Sequence, residues 1–428
     1  MAWSSSLLAS ELPRSFNLGK QVSAIGVGNK ILFAGGWDGS SSDALDIFDT
    51  QTSAWSMQQL TSARKNLSCT VRDGKALMYD GFNGYLYSYD PVANSFVQTT
   101  VLTPSGPILK SNDMALAATP AGGVCLSDVD GMVWYIEPSS FPLQSGIEVV
   151  ANSFGLYRSN DGWCFGLSVG TNKVVFAGGE SSSNAPSSVV EVFEDSGLGA
   201  SLVQSSTLPN PRRYMSAIVL GNKVFFAGGY SDSTSMYSDI VDIYDVAGNS
   251  WSSASLSVAR GKMGVAKTGT KIHFAGGFTD GDTPSNVVDV YDADANTWSV
   301  SSISEARGEL AGAYASSSSA DVAVFAGGYD GMGTYYSTAD AYSQAAAPSF
   351  PTDVTGTTTI NPTSGSDIVF PNDVAVGAAG DLTLNVTKVS HLKGNKIVSV
   401  AAGGKIGLSG GRKITVVSNT LYRLLADN

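Results

Sequence analysis

The sequence predicts an all-β protein: a seven-bladed β-propeller closed by its N-terminal strand, followed by a small C-terminal β-sandwich or barrel. Three observations carry this reading. A unit typified by Gly221–Trp251, GNKVFFAGGYSDSTSMYSDIVDIYDVAGNSW, recurs along the chain. Its copies, marked at the double glycine or the equivalent position (35, 80, 127, 178, 228, 276 and 327), lie 45, 47, 51, 50, 48 and 51 residues apart. That period matches a four-stranded blade. The two ends of the array are complementary fragments of the seventh blade.

Within the unit, a β-branched and aromatic run (KVFFA) ends on Gly228-Gly229, a polar loop follows, and a second run, IVDIY, stops at Asp245. Trp251 opens the next strand six residues later. Short runs of this composition, bounded by Gly and Asp/Asn/Ser clusters, are strand signals. Copies one, four, five, six and seven keep the word FAGG, whereas copies two and three are worn to LMYDGFNG and VCLSDVDG. The later landmark recurs as Phe48-Asp49, Tyr89-Asp90, Tyr244-Asp245 and Tyr291-Asp292, followed by Trp55, Phe96, Trp251 and Trp298. The seventh copy has its glycines and a third strand (Tyr335–Tyr342), then SQAAAPSF without a Trp. Its missing outer strand stands at the other terminus, where AWSSSLL (2–8) matches SWSSASL (250–256). Trp3–Leu8 is therefore expected to complete the last blade and leave no open sheet edge.

These words resemble the kelch repeat family over roughly residues 3–345. The resemblance implies one blade per repeat, with strands a to d from the axis outward and the blades circling a central channel. The chemistry of the words agrees. Paired glycines permit close approach and a turn without a Cβ, and the aromatic residues bury large areas between neighbouring sheets. The ring is expected over 1–345 and a linker, rich in Ala, Pro, Thr and Ser, over 346–359. Residues 360–428 hold six or so short strands separated by Gly-containing turns, and lack the repeat words.

The chain has 428 residues, of which 43% are hydrophobic and only 14% charged, with 48 glycines. That balance suits a turn-rich β-protein with an ample core. A net charge of -12 argues against a nucleic-acid partner, which needs a basic footprint. Cys69, Cys125 and Cys164 fit neither a disulfide framework nor zinc spacing and read as buried thiols. No apolar run approaches the ~18 residues of a membrane span, and MAWSSSLLASEL does not read as a secretory signal. The default compartment is therefore the cytoplasm, with a particle-surface or extracellular setting as the alternative. The sequon tripeptides at Asn66 and Asn385 matter only in the latter.

Antiparallel blades put the b–c and d–a connections on one face. The b–c loops open on Trp37-Asp38, Tyr230, Phe278 with Asp280, and Tyr329-Asp330. The d–a connections carry Arg14, Arg64, Arg158, Arg212, Arg213, Arg260 and Arg307. Three of these align, since 80−64, 228−212 and 276−260 all equal 16. One reading is a cationic ring with interleaved aromatics and acids, suited to an acidic peptide or a glycan. The other is that the arginines pair with carboxylates of neighbouring blades and so hold the blades together. In kelch domains, the resemblance implies, arginines so placed contact partner peptides, which reaches Arg64, Arg212 and Arg260 by position. Asp280-Gly281-Asp282 lacks the rest of a calcium loop and reads as a turn.

The layout also resembles galactose oxidase and its relatives, whose copper site uses two imidazoles, two tyrosines and a Cys–Tyr crosslink. Here the two histidines are His273, inside KIHFAGG, and His391, at a turn of the tail. That pair cannot furnish the copper sphere. The layout resembles plant kelch specifier proteins too, but their Glu-xxx-Asp-xxx-His iron run is missing. Serine chemistry lacks its histidine. No cofactor or metal is expected, and sugar chemistry by rim carboxylates and arginine is the one enzymatic alternative. The leading expectation is a non-catalytic recognition module whose tail domain anchors it or self-associates. The second is a structural component of a larger assembly.

Overall fold

In the computed structural model the described residues are 22–345 without 82, 104–105, 108–114, 120–121, 128–131, 137–146, 149, 154–163, 180–184, 197–199 and 317–319, together with the strands and turns of 353–423 given below. The chain forms two compact units, Met1–Gln344 and Ala345–Asn428.

The fifth blade shows why the repeated words fold as they do. Strands a to d are Ser216–Leu220, Lys223–Ala227, Ile240–Asp245 and Ser250–Ser255, antiparallel throughout. Strand b, KVFFA, is buried along nearly its whole length because neighbouring sheets cover both of its faces. A continuous apolar run is what such a position requires. Strand d, SWSSAS, has no outer neighbour and is polar, with exposed residues along most of its length. The Tyr-Asp word makes the c–d turn. The Asp245 carboxylate accepts from the amides of Ala247 and Gly248, at 3.0 and 2.9 Å, while the Tyr244 hydroxyl reaches Asn249 at 3.0 Å. Asn249 sits at a φ of 46°, where Asn is among the better tolerated residues. Asp90 with Asn94 and Asp292 with Asn296 repeat this turn. Opposite it, Trp251 stacks on Tyr244 with ring centroids 4.7 Å apart.

Seven such sheets make the first unit. Strand a begins at Ser23, Ser68, Ala115, Cys164, Ser216, Gly264 and Ala311 in blades one to seven. These inner strands neighbour one another in sequence around the circle, and Ala311–Ser316 returns to Ser23–Val27. The closing seam is a packed core: Ile31, Phe33 and Phe48 of blade one meet Ala313, Ala315, Val322 and Val324 of blade seven. The strands crowd so closely there that a Cβ on Gly26 would lie 1.5 Å from the carbonyl oxygen of Tyr314. Blade seven has three described strands, Ala311–Ser316, Ala320–Ala326 and Ala339–Ala345. The expected outer strand, Trp3–Leu8, lies outside the described residues. Blade two is wider than expected, because Ile147–Glu148 pairs in parallel with its strand d, Ser95–Thr103.

The second unit pairs its strands differently from the expected sandwich or barrel. Val374–Val376 pairs in parallel with Ile397–Val400, and Asp381–Leu384 pairs in parallel with Lys405–Leu408. Thr357–Ile360 lies parallel to Asp381–Leu384, and Ile368–Val369 to Leu392–Lys393. In all four pairs the partners stand 24 positions apart, as in Val374↔Val398 and Asp381↔Lys405. These strands stack as successive coils. The corners GAAG and AAGG redirect the chain instead of reversing it, through bonds such as Gly380 N–H to Gly377 O and Gly404 N–H to Ala401 O, both 2.9 Å. Two antiparallel strands, Ile414–Thr415 and Thr420–Arg423, also join these sheets.

Candidate functional site

The b–c and d–a connections meet on one face of the ring, as strand alternation requires. Two layers of side chains stand there, one buried and one at the surface.

The buried layer holds three of the arginines. Arg212, Arg260 and Arg307 are 4%, 0% and 0% exposed. The Arg260 guanidinium donates to the carbonyls of Gly276 and Phe274 at 2.9 and 3.0 Å and pairs with Asp289 at 2.7 Å. Arg212 repeats this with Gly228 (2.6 Å), Ile240 (3.2 Å) and Asp242 (3.0 Å). Arg307 pairs with Asp340 at 2.6 Å. Each carboxylate comes from strand c of the arginine's own blade, at the one charged position inside VDIY, VDVY or ADAY. Burial pulls Arg212 and Arg260 below the ordinary guanidinium value, while Asp242 and Asp289 oppose that shift. Arg64 bonds Asp80 and Ser62 instead, because strand c of blade two has Tyr87 at the aligned position.

The double glycines complete the device. Gly229 N–H donates to the Arg260 carbonyl at 3.0 Å, and Gly277 N–H donates to that of Arg307 at 2.9 Å. Gly36 N–H meets the Arg64 carbonyl at 2.8 Å. A Cβ on Gly228 would stand 2.1 Å from the Arg260 oxygen, so nothing larger than glycine fits. Arg64, Arg260 and Arg307 thus clamp their own blades through their side chains and hold the preceding blades through their backbones. The blade-tie alternative expected carboxylates of neighbouring blades; the carboxylates here lie on the arginine's own blade, and the link to the neighbour runs through the backbone.

The surface layer holds Tyr230, Tyr329 and the acids, over the buried ring of Phe278. Tyr230, Phe278 and Tyr329 each form a two-residue bridge to the residue after the arginine: Arg213, Gly261 and Gly308. Arg213 lies fork-on to the exposed Asp232 at 2.9 to 3.1 Å. Tyr237 donates its amide to Asp280 at 2.8 Å and its hydroxyl to Asp282 at 3.2 Å, which joins the loops of blades five and six. The Phe278 and Tyr329 rings meet edge-on at 5.3 Å and join blades six and seven. Asp330 folds its loop by accepting from the amides of Met332 and Thr334, at 2.7 and 3.0 Å; the Thr334 hydroxyl first, and then these amides, lower its pKa. On blade one, Trp37 carries the ammonium of Lys65 over its ring at 4.8 Å, and Asp38 lies half-buried beside it. Arg14 and Arg158 lie outside the described residues.

Sequence reasoning did not single out Tyr214, Lys262 and Glu309, which follow the arginines by two positions. All three have left-handed backbones, with φ of 57°, 55° and 52°. Lys262 N–H donates to the Tyr214 carbonyl and Glu309 N–H to that of Lys262, both at 2.9 Å. The Lys262 ammonium bonds Glu309 at 2.8 Å and lies 4.7 Å from the Tyr214 ring centre. Burial lowers the Lys262 pKa, but the Glu309 carboxylate more than offsets this and leaves it raised. Their common offset from the arginine was visible in the sequence; their conformation was not.

His273 is buried in strand b of blade six, bonded to Thr268 at 3.0 Å. Among the described residues no three His, Cys, Asp or Glu side chains converge as a metal site, and no helix is long and apolar enough to cross a membrane. The family model described as Kelch motif matches residues 211–255, which run from the arginine pair through strand d of the fifth blade. No curated protein matches the chain.

Proposed function

For this ring of kelch repeats, we propose a role as an interaction module that docks a protein or peptide segment on the b–c and d–a face. The observation that carries the reading is the anchoring of the half-buried Tyr230 and Tyr329 on the same backbone bridge, with the buried Phe278 bridged likewise between them. Rigidly held aromatics concentrate binding energy at protein interfaces. The acidic peptide expected from the arginine positions loses support, since those guanidiniums already have carboxylate and carbonyl partners. A glycan is the second reading, favoured by the tyrosines and Trp37 beside carboxylates. On either reading the module binds without chemistry, and the second unit anchors it or self-associates.

Peptide and glycan arrays probed with the full chain test this. Tyr230→Ala and Tyr329→Ala are expected to weaken whatever binds by roughly tenfold or more. Binding indifferent to both substitutions places the docking surface elsewhere. Sedimentation of the full chain against residues 1–344 tests self-association: a monomer in both removes it.

A further inference from the structure

We propose that the arc of face formed by blades five to seven takes a basic, extended segment of a partner protein, the reverse of the charge the arginine ladder suggests. This rests on the interaction reading above and names the partner class for that face.

Between strands b and c there are 12, 11 and 12 residues in blades five, six and seven, against ten in blade four, seven in blade one and four in blades two and three. The three long loops are ordered by their own short pairings: Tyr230–Ser231 with Met236–Tyr237, Phe278–Thr279 with Thr283–Pro284, and Tyr329 with Tyr335. They are also linked to one another through Tyr237, Asp280 and Asp282, and then Phe278 and Tyr329. Long ordered loops on a rigid scaffold are where binding surfaces are built.

Their charge has one sign. The loops 228–239, 276–286 and 327–338 contain Asp232, Asp239, Asp280, Asp282 and Asp330 and no Lys or Arg. Cations that the d–a connections bring to the arc are already engaged: Arg212, Arg260 and Arg307 are buried on aspartates, Arg213 lies on Asp232, and Lys262 on Glu309. Asp280 and Asp282 are exposed, so their potential reaches solvent. Within the same loops Met332 is 90% exposed and Met236 52% exposed. Acids beside methionine and tyrosine suit lysine and arginine side chains, whose methylene stems lie on apolar surface while their heads meet carboxylates and ring faces.

The test uses the full-length protein and three labelled twelve-residue probes, alternating Lys-Ser, Gln-Ser and Glu-Ser, read by fluorescence anisotropy. The Lys-Ser probe is expected to bind most tightly and to weaken as salt rises from about 50 to 200 mM. Asp280→Asn with Asp282→Asn keeps the acceptors for Tyr237 and is expected to weaken it about five- to tenfold. Asp73→Asn with Asp294→Asn removes the same charge from the a–b and c–d turns of the opposite face and is expected to change nothing. Met332→Ser, on a fully exposed tip, is expected to lower affinity about twofold or more. Equal loss in both double variants would reduce the effect to diffuse attraction by an acidic protein and overturn the proposal. Tighter Glu-Ser binding, or no Lys-Ser binding, overturns it too. If a neutral peptide or a glycan then binds and Tyr329→Ala weakens it, the interaction reading survives without the basic partner; if none binds, both fall.

Discussion

Arg260 and Arg213 show how little residue type alone says about role. Arg260→Ala strands the Asp289 carboxylate in a dry site and is expected to cost about 3–5 kcal/mol in urea unfolding. Arg213→Ala removes a surface pair and is expected to cost under about 1 kcal/mol. Equal costs would refute the division into a buried and a surface layer. His273 provides a pH test. Burial, and secondarily Lys271, depresses it to about 3 from an ordinary value of 6.5. Between those values the unfolded chain binds a proton that the folded chain refuses. Stability therefore falls as pH falls through this window, by up to about 1.4 kcal/mol per pH unit. His273→Gln is expected to flatten that slope, measured as urea midpoints on either side of pH 5.

At the scale of elements, strand a depends on its glycines. Gly26→Ala would drive a methyl group into the Tyr314 carbonyl and is expected to cost about 1–3 kcal/mol or more. Gly39→Ala has open space and tests backbone strain alone at its φ of 114°. Thermal midpoints of the two variants separate packing from strain, and an Ala at 26 without effect would contradict the close approach of the inner strands. The blade pattern was legible because FAGG, Tyr-Asp and Trp each answer a local demand: a tight approach, a capped turn, a partner for the tyrosine ring. The partners of the arginines were half legible. Asp242 and Asp289 are conspicuous as charges inside apolar strands, yet only the register shows that they face Arg212 and Arg260. The same register puts Asp46 and Glu191 at the equivalent positions of blades one and four. The coils of the second unit were missed because VAVGAAGDLTL and VSVAAGGKIGL were read as strands rather than as a repeat of 24. Alternation alone does not tell a strand that pairs with its neighbour from one that pairs a coil away.

On the scale of the whole molecule, closure is the quantity to measure. Deleting residues 1–12 removes the segment expected to finish blade seven. The midpoint of thermal unfolding is expected to drop by several degrees, more than for an equal cut at the C-terminus. An unchanged midpoint would show that the seam between blades one and seven needs no such strand. The relay from arginine to glycine has a mechanical corollary. From blade five to blade seven each tie points the same way, every blade gripping the one before it. A tug on blade seven is therefore handed backward through backbone bonds, link by link, rather than taken up by a single joint. A ligand seated across those three blades would pull on a chain already coupled in series, and the arc would yield as one piece.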